Sequence, residues 1–128
     1  MSDASFRILV IDDASFVRRY YRGALERAGF AVDEAMNGVE ALEMVTGATY
    51  DLLVVDVNMP KMDGYSFLRA LRRRGDSFHA IPALMTSTEA GPQDREAARA
   101  AGANYYLVKP LTEADLVAHA KAMVGWRS

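Results

Sequence analysis

The stretch Arg7-Ile8-Leu9-Val10-Ile11-Asp12-Asp13 decides the fold of this chain. Ile8 to Ile11 leave no polar face, and three of those four residues are β-branched, which suits a strand better than a helix. A strand that is apolar on both sides belongs in a sheet covered by helices on two faces. The next segment supplies the first cover: across Ser15–Ala28, the residues Phe16, Val17, Tyr20, Tyr21, Ala24, Leu25 and Ala28 recur on one helical face, with Arg18, Arg19, Arg22 and Glu26 directed to water.

The alternation then repeats. Further strands are expected at Ala31–Glu34, Leu52–Val55, Ile81–Met85 and Tyr105–Val108, and further helices at Val39–Thr46, Tyr65–Arg74, Gln93–Ala101 and Glu113–Val124. Breakers punctuate them at Gly29, Asn37-Gly38, Gly75, Gly91-Pro92 and Gly102. Strands and helices in alternation, joined by right-handed crossovers, predict a single doubly wound α/β sandwich with a five-stranded parallel sheet and helices on both faces. Residues 1–128 are taken up by that one domain, with no repeat, linker or low-complexity tract and only a short tail after Val124.

Composition agrees and excludes much. At 128 residues, 51% hydrophobic and 25% charged, the chain can bury one core without disulfides or structural metal. Having no cysteine, it offers no thiolate zinc site, iron–sulfur cluster, thiol redox couple or cysteine nucleophile. A net charge of -2 disfavours nucleic acid as a partner. With no signal-peptide pattern and no spanning segment, no membrane association is expected, and a cytoplasmic location follows by default.

In an open α/β sheet, ligands bind at the carboxyl ends of the strands. Here those ends carry Asp12-Asp13 after the first strand, Asp56 with Asn58 after the third, Thr86-Ser87-Thr88 after the fourth and Lys109-Pro110 after the fifth. Three carboxylates facing one ammonium leave two negative charges in excess, so at least one carboxyl pKa should rise unless a cation enters. Mg²⁺ suits the site, since it needs only one or two carboxylates plus waters and substrate oxygens, and no histidine or thiolate lies near to favour zinc. With two carboxylates neutralised, the third can attack phosphorus while Lys109 and Thr86 stabilise the oxygens of the transferred group.

Taken in order, Asp12-Asp13, Val54-Val55-Asp56, Met59-Pro60-Lys61-Met62-Asp63-Gly64, Thr86 and Lys109-Pro110 resemble the receiver domain of two-component response regulators. Asp12-Asp13-Ala14-Ser15 with Arg18-Arg19, the Asn58-Met59-Pro60 run and Tyr106 before Lys109 look most similar to the single-domain chemotaxis type, the CheY-like receivers. The resemblance implies a flavodoxin-like strand order of 2-1-3-4-5 and a cis Lys109-Pro110 bond. It implies that Asp56 accepts phosphate from a histidine kinase, that Asp12, Asp13, Asp56 and the Asn58 carbonyl hold Mg²⁺, and that Lys109 contacts the phosphoryl group. Thr86 and Tyr106 would be the switch, altering the face of the fourth helix, fifth strand and fifth helix for a phosphorylation-dependent target, with the flagellar motor switch as the candidate the chemotaxis type suggests. Thr88 is small where the chemotaxis type often has an acidic residue, so Asn58 and Thr88 are expected to tune hydrolysis. The chain is then a monomeric phosphoprotein and not an enzyme, beyond acting on its own aspartate.

Rival readings are a phosphate sink, a phosphorelay shuttle, an aspartate-nucleophile phosphohydrolase and an FMN carrier. The phosphohydrolase needs a titrating acid two residues past its nucleophile, where this chain has Asn58. Asp12-Asp13 would repel the phosphate of FMN. Plainer roles are assigned elsewhere. One of Asp12 and Asp13 should also cap the first helix, Asp63-Gly64 should form a turn and cap, and Arg72-Arg73-Arg74 should be a solvated helix end. His79 and His119 are expected at the surface. Tyr105 competes with Tyr106 for the switch, and the segment from Glu89 through the Ala-rich helix is expected to be the mobile one.

Overall fold

The computed structural model describes residues 6–75 and 80–125. Among them, five strands alternate with five helices: β1 (Arg7–Ile11), α1 (Ser15–Arg27), β2 (Ala31–Ala35), α2 (Gly38–Gly47), β3 (Leu52–Asp56), α3 (Gly64–Arg72), β4 (Ala83–Ser87), α4 (Pro92–Ala101), β5 (Tyr105–Val108) and α5 (Glu113–Val124). All strand pairs are parallel, in the order β2-β1-β3-β4-β5. This is the doubly wound, flavodoxin-like sheet. His79 and the tail beyond Gly125 lie outside the described residues.

Strand side chains alternate between two apolar layers. Leu9, Ile11, Leu53, Val55, Ala83 and Met85 face Phe67, Leu68 and Leu71 of α3, Ala41 and Val45 of α2, and Ala98 and Ala101 of α4. Ile8, Val10, Leu52, Val54 and Leu84 face Tyr21, Ala24 and Leu25 of α1 and Leu116 and Ala120 of α5. β1 and β3 feed both layers, which is why their sequences show no polar face. Each fully buried Leu or Ile contributes roughly 1.5–3 kcal/mol of transfer free energy.

Several boundaries differ from the sequence reading. β4 is displaced from Ile81–Met85 to Ala83–Ser87. Pro82 has no amide hydrogen, and it joins the sheet only by accepting from Leu53 N, so pairing begins at Leu53↔Ala83 and carries Thr86 and Ser87 into the strand. β3 likewise extends to Asp56, which sits opposite Thr86. α3 stops at Arg72. Arg72 is not a solvated end: it is half-buried and donates to the Gly102 carbonyl and to Asn104 Oδ1. The apolar face of α1 is also narrower than its spacing suggests, because Phe16 and Tyr20 are 71% and 46% exposed. No described helix is long and apolar enough to cross a membrane.

Candidate functional site

The carboxyl edge of the sheet gathers Asp12, Asp13, Asp56, Thr86 and Lys109. Asp12, just past β1, is buried and fixed at four atoms. Its amide donates to Ala35 O at 3.1 Å, its carbonyl accepts from Arg18 Nη1 at 2.6 Å, Oδ1 accepts from Ala14 N at 3.0 Å, and Oδ2 accepts from Lys109 Nζ at 3.0 Å. Asp13 is exposed and has no hydrogen-bonded partner among the described residues. Neither caps α1, contrary to expectation. The cap position is Ala14, without a side-chain bond, because the oxygens of Asp12 are committed elsewhere. Asp63, by contrast, caps α3 through Ser66 N at 2.8 Å.

Asp56 closes β3 and is 5% exposed. Burial pushes its carboxyl above the ordinary aspartate value; the Lys109 hydrogen bond at 3.0 Å pulls it back, and Asp12 and Asp13 add to the rise. A raised carboxyl is the outcome that charge crowding predicts, yet burial is the larger cause. Lys109 bridges Asp56 and Asp12, and although burial pulls its pKa down, these two bonds carry the net shift upward, so it stays protonated. The Lys109-Pro110 bond is cis. One carboxylate oxygen each from Asp12, Asp13 and Asp56 lies within 4.8 Å of the others, a hard-oxygen donor set without imidazole.

Thr86 completes the arrangement. Its Oγ1 is buried and has no hydrogen-bond partner among the described residues, and a buried polar group left unpaired calls for a water, an ion or a ligand. Residues 8–121 match the family described as "Response regulator receiver domain". The chain belongs to that family.

Among curated relatives of this receiver domain, the transcriptional regulatory protein PrrA of Mycobacterium leprae is 40% identical over 97% of the chain, which covers 52% of that protein. The response regulator MprA of Mycobacterium ulcerans is 41% identical over 94% of the chain and 50% of its own length. The chain therefore spans about half the length of these curated relatives. Among solved structures, the chemotaxis protein CheY4 of Vibrio cholerae aligns with TM-score 0.89 and 33% identity, over 94% of this chain and 99% of that one. A response regulator described as putative from Chloroflexus aurantiacus aligns with TM-score 0.90 and 30% identity, over 95% and 99%.

The receiver's remaining sequence-derived positions fall around this centre. Tyr106 is 7% exposed and donates from its hydroxyl to Glu89 O at 2.7 Å, whereas Tyr105 is 49% exposed. Asn58 and Thr88 are exposed in the loops after β3 and β4. Thr88 also lines an apolar groove of about 490 Å³ with Phe16, Tyr20, Lys109 and Pro110. His119 offers Nδ1 to Asp115 O at 2.7 Å and packs against the Tyr105 ring.

Two residues named in the sequence reading have contacts it did not foresee. A Cβ at Gly64 would run into the Asp56 carbonyl, so only glycine lets α3 start this close to the acidic centre. Arg18, expected in water, is instead paired with Glu34 at 2.9 Å, its side chain 13% exposed. Burial pushes the Glu34 carboxyl up, but hydrogen bonds from Arg18 and Arg22 outweigh that and hold it below the ordinary glutamate value. The available signal was the pair Arg18 and Arg22, one helical turn apart on the same face.

Proposed function

We propose that the chain is the phosphoacceptor of a two-component pathway, with Asp56 taking a phosphoryl group from a histidine kinase. The observation that carries this is the pairing of Asp56, buried and bonded to Lys109, with a Thr86 hydroxyl that lacks a partner among the described residues. Transfer breaks a phosphorus–nitrogen bond in the donor and forms a phosphorus–oxygen bond at an Asp56 oxygen. Lys109 releases the attacked carboxylate and turns to a phosphoryl oxygen; Thr86 donates to another. The ammonium and the hydroxyl thus stabilise charge that exists only once transfer has begun.

Asp12, Asp13 and Asp56, with the main-chain carbonyl of Asn58, would hold Mg²⁺. When bound, it supplies the positive charge that lets a phosphoryl group approach three carboxylates. The donor set on the page fits it. Movement of Thr86 toward the phosphoryl group vacates space for Tyr106, whose bond to Glu89 O ties β5 to the segment leading into α4. The altered surface is that of α4, β5 and α5, and Asn58 and Thr88 set how long the acyl phosphate survives. A kinase that draws on ATP puts the pair in the cytoplasm.

On the target, PrrA, the relative named as a transcriptional regulator, is 40% identical and the chemotaxis protein 33%, so a motor-switch target has the weaker support. We assign a protein target of either kind, read through the same face. Incubation with acetyl phosphate and Mg²⁺ should add the mass of one phosphoryl group to the chain, and Asp56→Asn should abolish that gain. Labelling that survives in the variant would overturn the assignment.

A further inference from the structure

Among the described residues, Asp13 is the one carboxylate of the acidic centre that no hydrogen bond steadies, yet as a metal ligand it would have to present an oxygen in a fixed place. The peptide group joining Asp12 to Asp13 is planar, so whatever fixes the Asp12 carbonyl also fixes the direction in which the chain delivers Asp13. That carbonyl has its own clamp, Arg18 Nη1 at 2.6 Å. Arg18 is in turn oriented by Glu34 of β2, its Nε donating to Oε1 at 2.9 Å. Arg22 takes the other oxygen of Glu34 at 3.2 Å and also bonds Glu26 at 2.9 Å. Two arginines and two glutamates make a network of zero net charge, so the clamp brings no cationic field to oppose a cation next door.

We propose that Arg18, oriented by Glu34, is a positioning residue for the cation-binding carboxylates: it locks the Asp12–Asp13 peptide plane and so sets the affinity of the site for Mg²⁺. The inference rests on the reading of the acidic centre as a Mg²⁺ site. Arg18 touches neither the metal nor the phosphoryl group in this scheme. Its loss therefore weakens metal binding and leaves the chemistry at saturating metal intact.

Calorimetric titration of the 128-residue chain with Mg²⁺ alone tests this. Arg18→Met should bind about tenfold more weakly than wild type, the scale on which removal of a supporting contact loosens a metal. Arg18→Lys, which keeps a donor for the carbonyl, should recover much of that loss. Glu34→Gln leaves Arg18 in place but less firmly oriented and with its charge uncompensated, and it should bind more weakly than wild type by a smaller factor. It also serves if Arg18→Met does not fold. Phosphorylation by acetyl phosphate should then need proportionately more Mg²⁺ in Arg18→Met, with the rate at saturating Mg²⁺ unchanged. Equal Mg²⁺ affinity in folded Arg18→Met, or in Glu34→Gln where that is the variant that folds, would overturn the role of the clamp. A wild type that takes up no Mg²⁺ would instead bring down the underlying reading of the site, and the inference with it.

Discussion

The two corners of the acidic centre are built on opposite plans. At the β1–α1 corner, Asp12 is held at its amide, its carbonyl and both carboxylate oxygens, and the helix behind it is pinned to β2 by the Arg18–Glu34 pair. At the β4–α4 corner, the Thr86 hydroxyl has no partner among the described residues, and α4 contributes only Ala98 and Ala101 as buried residues. On the proposed reading, one corner holds charge in a fixed place and the other is rearranged by it. A switch needs both, since a reaction centre that moved with its reporter would have nothing to move against.

The contrast can be broken most forcefully in the core beneath each corner. Leu25→Ala empties a site in the layer between α1 and the sheet and should lower unfolding free energy by roughly 2–5 kcal/mol. Ala98→Gly in α4 should lower it by roughly 1 kcal/mol. Denaturant midpoints measure both. If the order were reversed, α4 would carry more of the core than its alanines suggest, and the β4–α4 corner would not be the looser one.

Next in size is the effect of metal on the acidic centre. The Asp56 carboxyl is held above its ordinary value, burial being the main cause, so the native state binds that proton more tightly than the unfolded chain does. Stability therefore falls as pH rises through the interval between the two values, and the destabilisation is fully present above the native one. Metal-free Asp56→Asn should melt above wild type at neutral pH, with an advantage that shrinks as pH drops through that interval. Mg²⁺ at a hundred times its dissociation constant should then stabilise wild type by about 2.7 kcal/mol, and the variant by less. A melting difference that does not change with pH would separate Asp56 from the acidic centre's electrostatics.

Thr86 sharpens the same comparison with the opposite sign. Replacing a buried hydroxyl that has no partner by a methyl group removes a desolvation penalty of roughly 1–3 kcal/mol, so Thr86→Val should raise stability. On the proposed reading it should also uncouple Tyr106 from phosphorylation while Asp56 still becomes labelled. A destabilised variant would show that the hydroxyl is already satisfied in the resting protein.

How far the sequence could be read follows from which signals are local. The sheet was legible because β1 and β3 are apolar on both faces, and the acidic centre because strand ends are where polar residues are expensive to hold. Hydrogen bonds across the chain were not legible. Arg18 reads as a solvated helix residue until β2 brings Glu34 beside it, and Arg72 reads as a frayed helix end until the α4–β5 turn supplies the Gly102 carbonyl. The β4 boundary depended on Pro82, whose missing amide delays pairing until Ala83.

The smallest effect lies where capping chemistry was expected and is absent. Doubled aspartates ahead of a helix ordinarily read as caps, yet α1 begins after Ala14, whose backbone is extended and whose side chain offers no acceptor. Asp12 is bonded to Ala14 N and Lys109 instead, so α1 goes without a side-chain cap while the acidic centre stays fixed. Ala14→Ser supplies the missing acceptor without adding charge, and should stabilise the chain by about 0.5–1 kcal/mol, read from the denaturant midpoint. Ala14→Asp would cap equally well, but its charge would sit beside Asp12, Asp13 and Asp56. In metal-free protein it should gain less than serine, and the gap between the two should close when Mg²⁺ is added. If the two variants gained equally without metal, the acidic centre's charge would not reach the start of α1, and the rigid corner would owe its order to hydrogen bonding alone.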